Sequence, residues 1–160
     1  MRQVWKPSVT VATIVPRDGK FLLVEEQTTD GLCINQPAGH LECGEAPADG
    51  AVREALEETA YQVRVNAFLG AYLSRYRSSR TGEDVTYLRL AFVGEVVGHV
   101  PEQPLDEGIV RALWLAPDEI SATRERHRSP LVWQCVQDYL AGRQLPLEAV
   151  YTHPSVLNGV

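Results

Sequence analysis

The sequence predicts a mixed α/β fold, because strand-like segments alternate along the chain with two segments of helical periodicity. The chain has 160 residues and 44% apolar content, enough for a core that buries roughly two-thirds of the surface exposed on unfolding. It contains no internal repeat and no low-complexity linker. We therefore expect a single domain over residues 1–160.

The N-terminal segments have the composition of a β-hairpin. Residues 8–15 (SVTVATIV) and 20–26 (KFLLVEE) are strand-like, and PRDG at 16–19 is typical of a turn. A short extended piece is expected at 34–40, because Gln36 precedes a proline and is thereby biased away from helix.

The C-terminal half predicts a second hairpin, then a strand and a helix. Residues 63–76 and 85–97 are long strand-like segments around the polar loop 77–84. A short strand is expected at 109–115. Residues 129–142 (SPLVWQCVQDYLAG) have the periodicity of an amphipathic helix that ends at the last glycine of the segment.

An acidic amphipathic helix is expected between the two hairpins, with Pro47 in its first turn. One broad side carries small and apolar residues, together with a threonine: Ala48, Ala51, Val52, Ala55, Leu56 and Thr59. Glu54, Glu57 and Glu58 share the opposite side, because they are spaced i, i+3 and i+4. The helix therefore presents three carboxylates together.

These three carboxylates form either a solvated helix face or a cation site. Solvated faces usually intersperse opposite charges at i,i+4, but the residues four positions after the three glutamates are Glu58, Tyr61 and Gln62. A hard divalent ion fits better, because Mg²⁺ prefers oxygen ligands and is commonly shared between carboxylates and substrate phosphates. The pattern thus predicts a Mg²⁺ site that meets a phosphorylated substrate.

The composition excludes several other classes of protein. A net charge of −6 argues against a nucleic-acid partner, since binding to the phosphate backbone depends on Lys and Arg. No segment approaches the roughly 18 uninterrupted apolar residues of a membrane span, so we expect no membrane partner and a cytoplasmic location. Cys33, Cys43 and Cys135 lack C-x-x-C spacing, which argues against a structural zinc site and a disulfide framework.

The segment from residue 39 to residue 61 resembles the Nudix box. That pattern is Gly, five residues, Glu, seven residues, Arg-Glu, an apolar residue, any residue, Glu-Glu, any residue, Gly, and an apolar residue. The matching positions are Gly39, Glu45, Arg53, Glu54, Ala55, Glu57, Glu58 and Tyr61. The resemblance implies the Nudix fold, a mixed β-sheet sandwiched between α-helices, and hydrolysis of phosphoanhydrides in nucleoside diphosphate derivatives.

Ala60 departs from this pattern, which has glycine there. A glycine would end the helix in a left-handed turn, a conformation that costs alanine roughly 1 kcal/mol or more. We therefore expect the helix to end differently in this chain, with no effect on residues upstream.

The resemblance also assigns roles to residues of the box. Glu54, Glu57 and Glu58 are the implied metal ligands, with the carbonyl of Gly39 as a fourth. Arg53 would hold carboxylates in place.

Two roles stay open between alternatives. Glu45 would either bind the metal or orient Arg53 and cap the helix. The general base would be either Glu54 or an acid from a later loop, for which Glu107 is the first candidate and Asp106 a weaker one.

Substrate contacts are expected from one strand and one turn. In VTYLRLAF (85–92), alternation places Tyr87 and Arg89 on the same, more polar face. Arg89 there is a candidate to meet a phosphate and Tyr87 to stack on a base, and His40 is a candidate hydrogen-bonding group for the substrate.

Further segments are similar to bacterial NudJ-type phosphatases within the family: KPSVTVA, NQPAGHLE, YLRLAF, RSPLV and the late PLE. This similarity implies a Mg²⁺ enzyme, with Mn²⁺ as a substitute, that removes orthophosphate from nucleoside tri- and diphosphates. It also implies action on hydroxymethylpyrimidine pyrophosphate, a thiamine pyrophosphate precursor. The expected partner is thus a small phosphorylated metabolite, bound by a monomer or a homodimer.

Two alternatives compete with this reading. One is an ADP-ribose or dinucleoside-polyphosphate pyrophosphatase, and the other is a catalytically silent nucleotide-sensing module. The retained carboxylates of the box favour an enzyme.

Overall fold

The computed structural model describes residues 1–158. Eight strands lie in this range: β1 (Ser8–Ile14), β2 (Pro16–Arg17), β3 (Lys20–Thr28), β4 (Gly31–Asn35), β5 (Ala38–His40), β6 (Tyr61–Arg77), β7 (Asp84–His99) and β8 (Ile109–Leu115). The α-helices there are α1 (Pro47–Thr59), α2 (Pro117–Ala122), α3 (Leu131–Leu140) and α4 (Pro154–Leu157). No helix within residues 1–158 is both long and apolar enough to cross a membrane.

The strands form two sheets of four strands each. In the first sheet the order is β5-β1-β7-β6, and β1 runs parallel to β7 while the other neighbours are antiparallel. In the second sheet β3 pairs antiparallel with β2, β4 and β8. The first sheet is therefore mixed, and β5 and β6 form its two edges.

The first sheet lies between α1 and α3. On one face, Ala51 of α1 shares a core cluster with Val11 and Phe92 of the sheet. On the other face, Cys135 of α3 shares a cluster with Ala91. Ala91 and Phe92, which are adjacent on β7, thus pack on opposite faces of the sheet, as the alternation of side chains along a strand requires. The predicted mixed α/β fold, with a mixed sheet between helices, is confirmed.

The N-terminal hairpin is confirmed only at its turn. Asp18 and Gly19 have φ values of 51° and 74°, and they connect β2 to β3 in a two-residue turn. Positive φ at both central residues is the geometry that matches the twist of paired strands. β1, however, pairs with β5 and β7 in the other sheet. The alternation of apolar and polar residues predicted strand β1 correctly, but it carries no information about which strand pairs with β1 when that strand lies more than 70 residues away.

The second hairpin and both larger helices lie where the sequence predicts them. β6 and β7 pair from Tyr61↔His99 to Arg77↔Asp84, around the loop 78–83. Strand β8 matches the predicted strand at 109–115, and α3 ends shortly before Gly142, whose φ is 87°.

The expectation about the end of α1 is wrong. Ala60 adopts the left-handed conformation, with φ 61° and ψ 8°, and its N–H donates to the Leu56 carbonyl at 2.9 Å. The surrounding structure therefore imposes on alanine the conformation that glycine adopts freely.

The C-terminal tail, for which the sequence predicted no helix or strand, adds to the edge of the first sheet. The backbone of Leu145 exchanges hydrogen bonds with Phe68 of β6, at 2.8 and 2.9 Å. A 3-10 turn at Leu147–Ala149 and the short helix α4 follow.

Candidate active site

A cavity of about 480 Å³ opens over the first sheet, between α1 and the segment that precedes α3. One side of it is acidic, with the lining carboxylates Glu26, Glu42, Glu54, Glu57, Glu58 and Asp106. Arginines line it as well: Arg53 among the acids, and Arg75, Arg89 and Arg128 elsewhere. The acids lie near edge strand β5, where Glu58 accepts a hydrogen bond from the Ala38 N–H at 3.0 Å. Arg75 belongs to β6, at the other edge of the sheet.

Three carboxylates converge at the acidic side. Glu54, Glu57 and Asp106 each offer an oxygen, and these oxygens all lie within 4.8 Å of one another. Asp106 reaches α1 from the loop before β8, because its backbone N–H donates to the Glu57 carbonyl at 3.0 Å. Oxygen donors at this spacing suit a hard divalent cation, so the residues present fit a Mg²⁺ site.

The structure thus adds Asp106 to the box carboxylates and leaves Glu107 aside. Glu107 is exposed and does not line the cavity, although it is adjacent to Asp106 in sequence. Glu58 lines the cavity beside the converging group, where its carboxylate is held by Ala38.

Arg53 connects four parts of the box. Its Nε and one terminal nitrogen donate to the two oxygens of Glu45, at 3.0 and 2.8 Å. Its other terminal nitrogen donates to Glu54 at 2.8 Å and to Glu57 at 2.9 Å, and the His40 carbonyl accepts a further bond at 3.1 Å. One guanidinium therefore fixes the direction of three carboxylates.

In the described part of the chain, the side-chain contacts of Glu45 go to Arg53 and the Glu42 N–H, and none goes to the N-terminus of α1. Both of its oxygens are used by Arg53, and one also accepts the Glu42 N–H at 2.8 Å. The N-cap of α1 is Ala46, which receives no side-chain hydrogen bond. Of the two alternatives for Glu45, the contacts favour the orienting role; metal binding by Glu45 and by the Gly39 carbonyl stays a prediction.

Gly39 makes room for the acidic side. A Cβ at this position would overlap the carboxyl carbon and both oxygens of Glu54. Glu54 is only 7% exposed, so its carboxylate has little freedom to move aside. Position 39 is therefore a glycine because any side chain there would occupy the space of the Glu54 carboxylate.

Burial makes the ionised forms of the Glu54 and Glu58 carboxylates less favourable. Burial, together with the neighbouring carboxylates, raises the pKa of Glu58 to about 8, although the hydrogen bond from Ala38 opposes the shift. Burial also raises the pKa of Glu54, although Arg53 opposes the shift. Glu45 behaves oppositely, because its hydrogen bonds from Arg53 lower its pKa. A cation beside Glu54 and Glu58 would relieve this like-charge repulsion.

The predicted substrate-side residues all line the cavity. Strand register aligns His40, Thr10 and Arg89 across three neighbouring strands. Tyr87 lies two residues before Arg89 on β7, and its ring centroid is 6.2 Å from that of His40. His40 is exposed, whereas Arg89 is buried.

Arg89 is fixed by two amide side chains. Its terminal nitrogens donate to Gln36 Oε1 at 2.8 Å and to Asn35 Oδ1 at 2.9 Å. Gln36 in turn donates to the Val132 carbonyl at 2.8 Å. Sequence reasoning missed these amides. NQPAGHLE stood out as a similar segment, but nothing in its spacing connects Gln36 to a residue 53 positions away.

The NUDIX domain family model matches residues 4–134. The chain belongs to the Nudix family. Phosphatase NudJ of Escherichia coli K12 is 36% identical over 147 residues, which cover 92% of each chain, and Phosphatase NudJ of Shigella flexneri has the same identity and coverage. This Nudix chain is therefore a phosphohydrolase that is similar to the NudJ type, as the sequence had indicated.

Solved structures agree with this assignment. A NUDIX hydrolase from Nitrosomonas europaea is 44% identical, has a TM-score of 0.84, and is matched over 92% of this chain and 98% of that one. An ADP-ribose pyrophosphatase from Streptococcus suis has a TM-score of 0.61 at 16% identity, over 86% of this chain and 93% of that one. The second likeness shows the shared Nudix fold alone.

Proposed function

We propose that this Nudix hydrolase is a Mg²⁺-dependent phosphatase that releases orthophosphate from nucleoside tri- and diphosphates. Hydroxymethylpyrimidine pyrophosphate is a further proposed substrate. The observation that carries the proposal is the group of three converging carboxylates, Glu54, Glu57 and Asp106, on the acidic side of the cavity. The cavity is also lined by Arg89 and Arg128, which form no ion pair within residues 1–158. The similarity to Phosphatase NudJ supports the phosphatase activity.

We assign the metal to Glu54, Glu57 and Asp106, with Glu58 and the Gly39 carbonyl completing the ligand group. When bound, Mg²⁺ supplies positive charge that offsets the negative charge developing on the phosphate oxygens. Arg53 positions two of these carboxylates.

The general base is one of two acids that the structure brings together, Glu54 and Asp106. Asp106 replaces Glu107 as the candidate from the later loop, because only Asp106 reaches the cavity. An acid in this role accepts a proton from the attacking water, so it must be ionised at the working pH.

The remaining lining residues hold the substrate. Arg89 is directed by its amide partners and supplies positive charge beneath the phosphates. Tyr87 and His40 offer flat rings beside it for the organic group of the substrate. The substrate class is therefore a diphosphate or triphosphate attached to a ring-containing group.

A screen of phosphorylated metabolites with Mg²⁺ tests the proposal. Orthophosphate and pyrophosphate are measured separately for nucleoside tri- and diphosphates, hydroxymethylpyrimidine pyrophosphate, ADP-ribose and a dinucleoside polyphosphate. Stepwise orthophosphate release supports the proposal. Pyrophosphate as the main product from a triphosphate indicates a MutT-like activity, and cleavage of ADP-ribose into two products indicates a pyrophosphatase.

A matched pair of variants links the activity to the site. Glu57→Gln should lower the rate by a factor on the order of a hundred, because it removes preorganised charge next to the reacting group. Glu102→Gln, which changes an exposed acid outside the cavity, should leave the rate unchanged. Equal rates for the two variants would contradict the assignment.

A further inference from the structure

Arg128 is a half-buried cation without a counter-ion. Within the described part of the chain, its guanidinium makes no hydrogen bond and no ion pair, and its Cζ lies 5.6 Å from the centroid of the Tyr76 ring. Nearby arginines are paired: Arg75 with Asp84 at 2.7 Å, and Arg126 with Glu25 at 2.7 Å. Withdrawing a charge from water without a partner is costly, so an unpaired arginine in a cavity wall indicates an external anion.

The backbone around Arg128 is fixed before any ligand arrives. The Arg128 N–H donates to the Ile34 carbonyl of β4 at 2.8 Å. Four residues later the Val132 carbonyl accepts the Gln36 side chain at 2.8 Å. The segment that carries Arg128 is therefore bonded at two points to the residues on either side of Asn35, which lines the cavity, and these bonds hold Arg128 in place.

The positive charge is separated from the carboxylates across the sheet. The carboxylates lie at the β5 edge, Arg89 lies on β7, and Arg128 lies against Tyr76 of β6 at the other edge. Arg89 donates hydrogen bonds to the neutral amides of Asn35 and Gln36, and within residues 1–158 it forms no ion pair, so no carboxylate there offsets its charge. A substrate that spans the cavity would therefore contact the metal-binding carboxylates at one end and the arginines at the other.

We infer that Arg128 is a specificity-determining residue that binds the phosphate next to the organic group of the substrate, while the carboxylate side binds the phosphate that is released. The fork of a guanidinium donates to two oxygens of one phosphate, which gives direction as well as attraction. The Tyr76 ring, 5.6 Å from the Arg128 Cζ, lies beside this fork. The inference rests on the proposed function, whose phosphoanhydride substrates carry two such groups.

Binding measured without metal tests this inference independently of hydrolysis. In EDTA, the probes are guanosine 5′-monophosphate, guanosine and inorganic phosphate, titrated by calorimetry or by NMR. Arg128→Gln should weaken binding of the monophosphate about ten- to a hundredfold, the loss expected for a hydrogen bond to a charged group. Arg128→Lys should retain part of the affinity. Arg124→Gln, an exposed arginine of the same segment that does not line the cavity, should bind like wild type.

Several outcomes would overturn the inference. They are equal affinity of the Arg128→Gln and Arg124→Gln variants, absence of monophosphate binding by wild type, or an equal loss for guanosine and its monophosphate. The last result would mean that Arg128 contacts the ring. If the glutamine variant does not fold, Arg128→Lys is compared with wild type in the same titrations, and unchanged affinity at two salt concentrations overturns the assignment of a phosphate fork. A failed hydrolysis screen leaves these results intact, so the two proposals fail separately.

Discussion

Replacing Glu58 with glutamine should stabilise the metal-free protein, and the gain should grow with pH. Glu58 is 8% exposed, and glutamine keeps an oxygen that can accept the Ala38 N–H. Burial raises the pKa of the Glu58 carboxyl from an ordinary value of 4.5 to about 8. Between these two values the unfolded chain has lost the proton that the folded chain retains, so the free energy of unfolding falls as pH rises.

The size of the effect follows from the same shift. The pKa of Glu58 differs by about 3.5 between the folded and unfolded chains, and each pKa unit corresponds to about 1.4 kcal/mol. Wild type should therefore lose at most about 5 kcal/mol of its free energy of unfolding above pH 8, and none below pH 4.5. Each kcal/mol corresponds to about 2–4 °C in a protein of this size. In EDTA, Glu58→Gln should therefore melt several degrees above wild type at pH 8.5, and close to wild type at pH 4.5.

Thermal unfolding followed by circular dichroism measures this gap. Glu102→Gln is the matched control, since it changes an exposed acid that does not line the cavity, and it should melt close to wild type under each condition. Excess Mg²⁺ at pH 8.5 should narrow the gap or reverse it, because a ligand of the folded state stabilises wild type more than a variant with a damaged site. A gap that is the same at both pH values would refute the electrostatic reasoning. An equal response of both proteins to Mg²⁺ would remove Glu58 from the ligand group.

Three other changes test the same site and its support. Gly39→Ala should displace the Glu54 carboxylate and raise the Mg²⁺ concentration needed for half-maximal activity at least about tenfold; an unchanged Mg²⁺ titration would contradict the steric argument. Ala60→Gly should raise the free energy of unfolding by roughly 0.5–1 kcal/mol in urea, since the relief of left-handed strain exceeds the added chain entropy. Arg89→Lys should lower the free energy of unfolding by about 2 kcal/mol, because the shorter side chain leaves the Asn35 oxygen without its hydrogen-bond donor. The same urea midpoint as wild type would show that the Arg89–Asn35 hydrogen bond contributes little to stability.

The elements that the sequence predicted well are those whose signal is local. The period of α1 and the long alternating stretches of β6 and β7 lie within single segments, so their type and approximate bounds could be read directly. The pairing of β1 with β7 could not, because it joins positions such as Thr10 and Arg89 that only the folded chain brings together.

The site residues also divide into those with a local sequence signal and those that only the folded chain reveals. Glu54 and Glu57 were found because helical spacing places them side by side. Asp106 was ranked below its neighbour Glu107, because which of two adjacent loop acids faces a helix depends on a single backbone bond to Glu57. Arg128 begins the similar segment RSPLV, but the sequence assigned it no role, since an unpaired arginine is recognisable only when its surroundings are known.

The shared guanidinium of Arg53 has a consequence for how the sequence of this protein can change. Because Glu45, Glu54 and Glu57 all bind one arginine, the effect of a mutation at any of them depends on which of the others is already altered. Losing Glu45 removes two hydrogen bonds that hold Arg53 beside Glu54 and Glu57, whereas losing it after Arg53 is gone removes only its bond from the Glu42 N–H. Mutations in this group are therefore epistatic, and the order in which they arise determines which intermediates still function. Glu45 does not line the cavity, yet through Arg53 it is coupled to two of the acids that do.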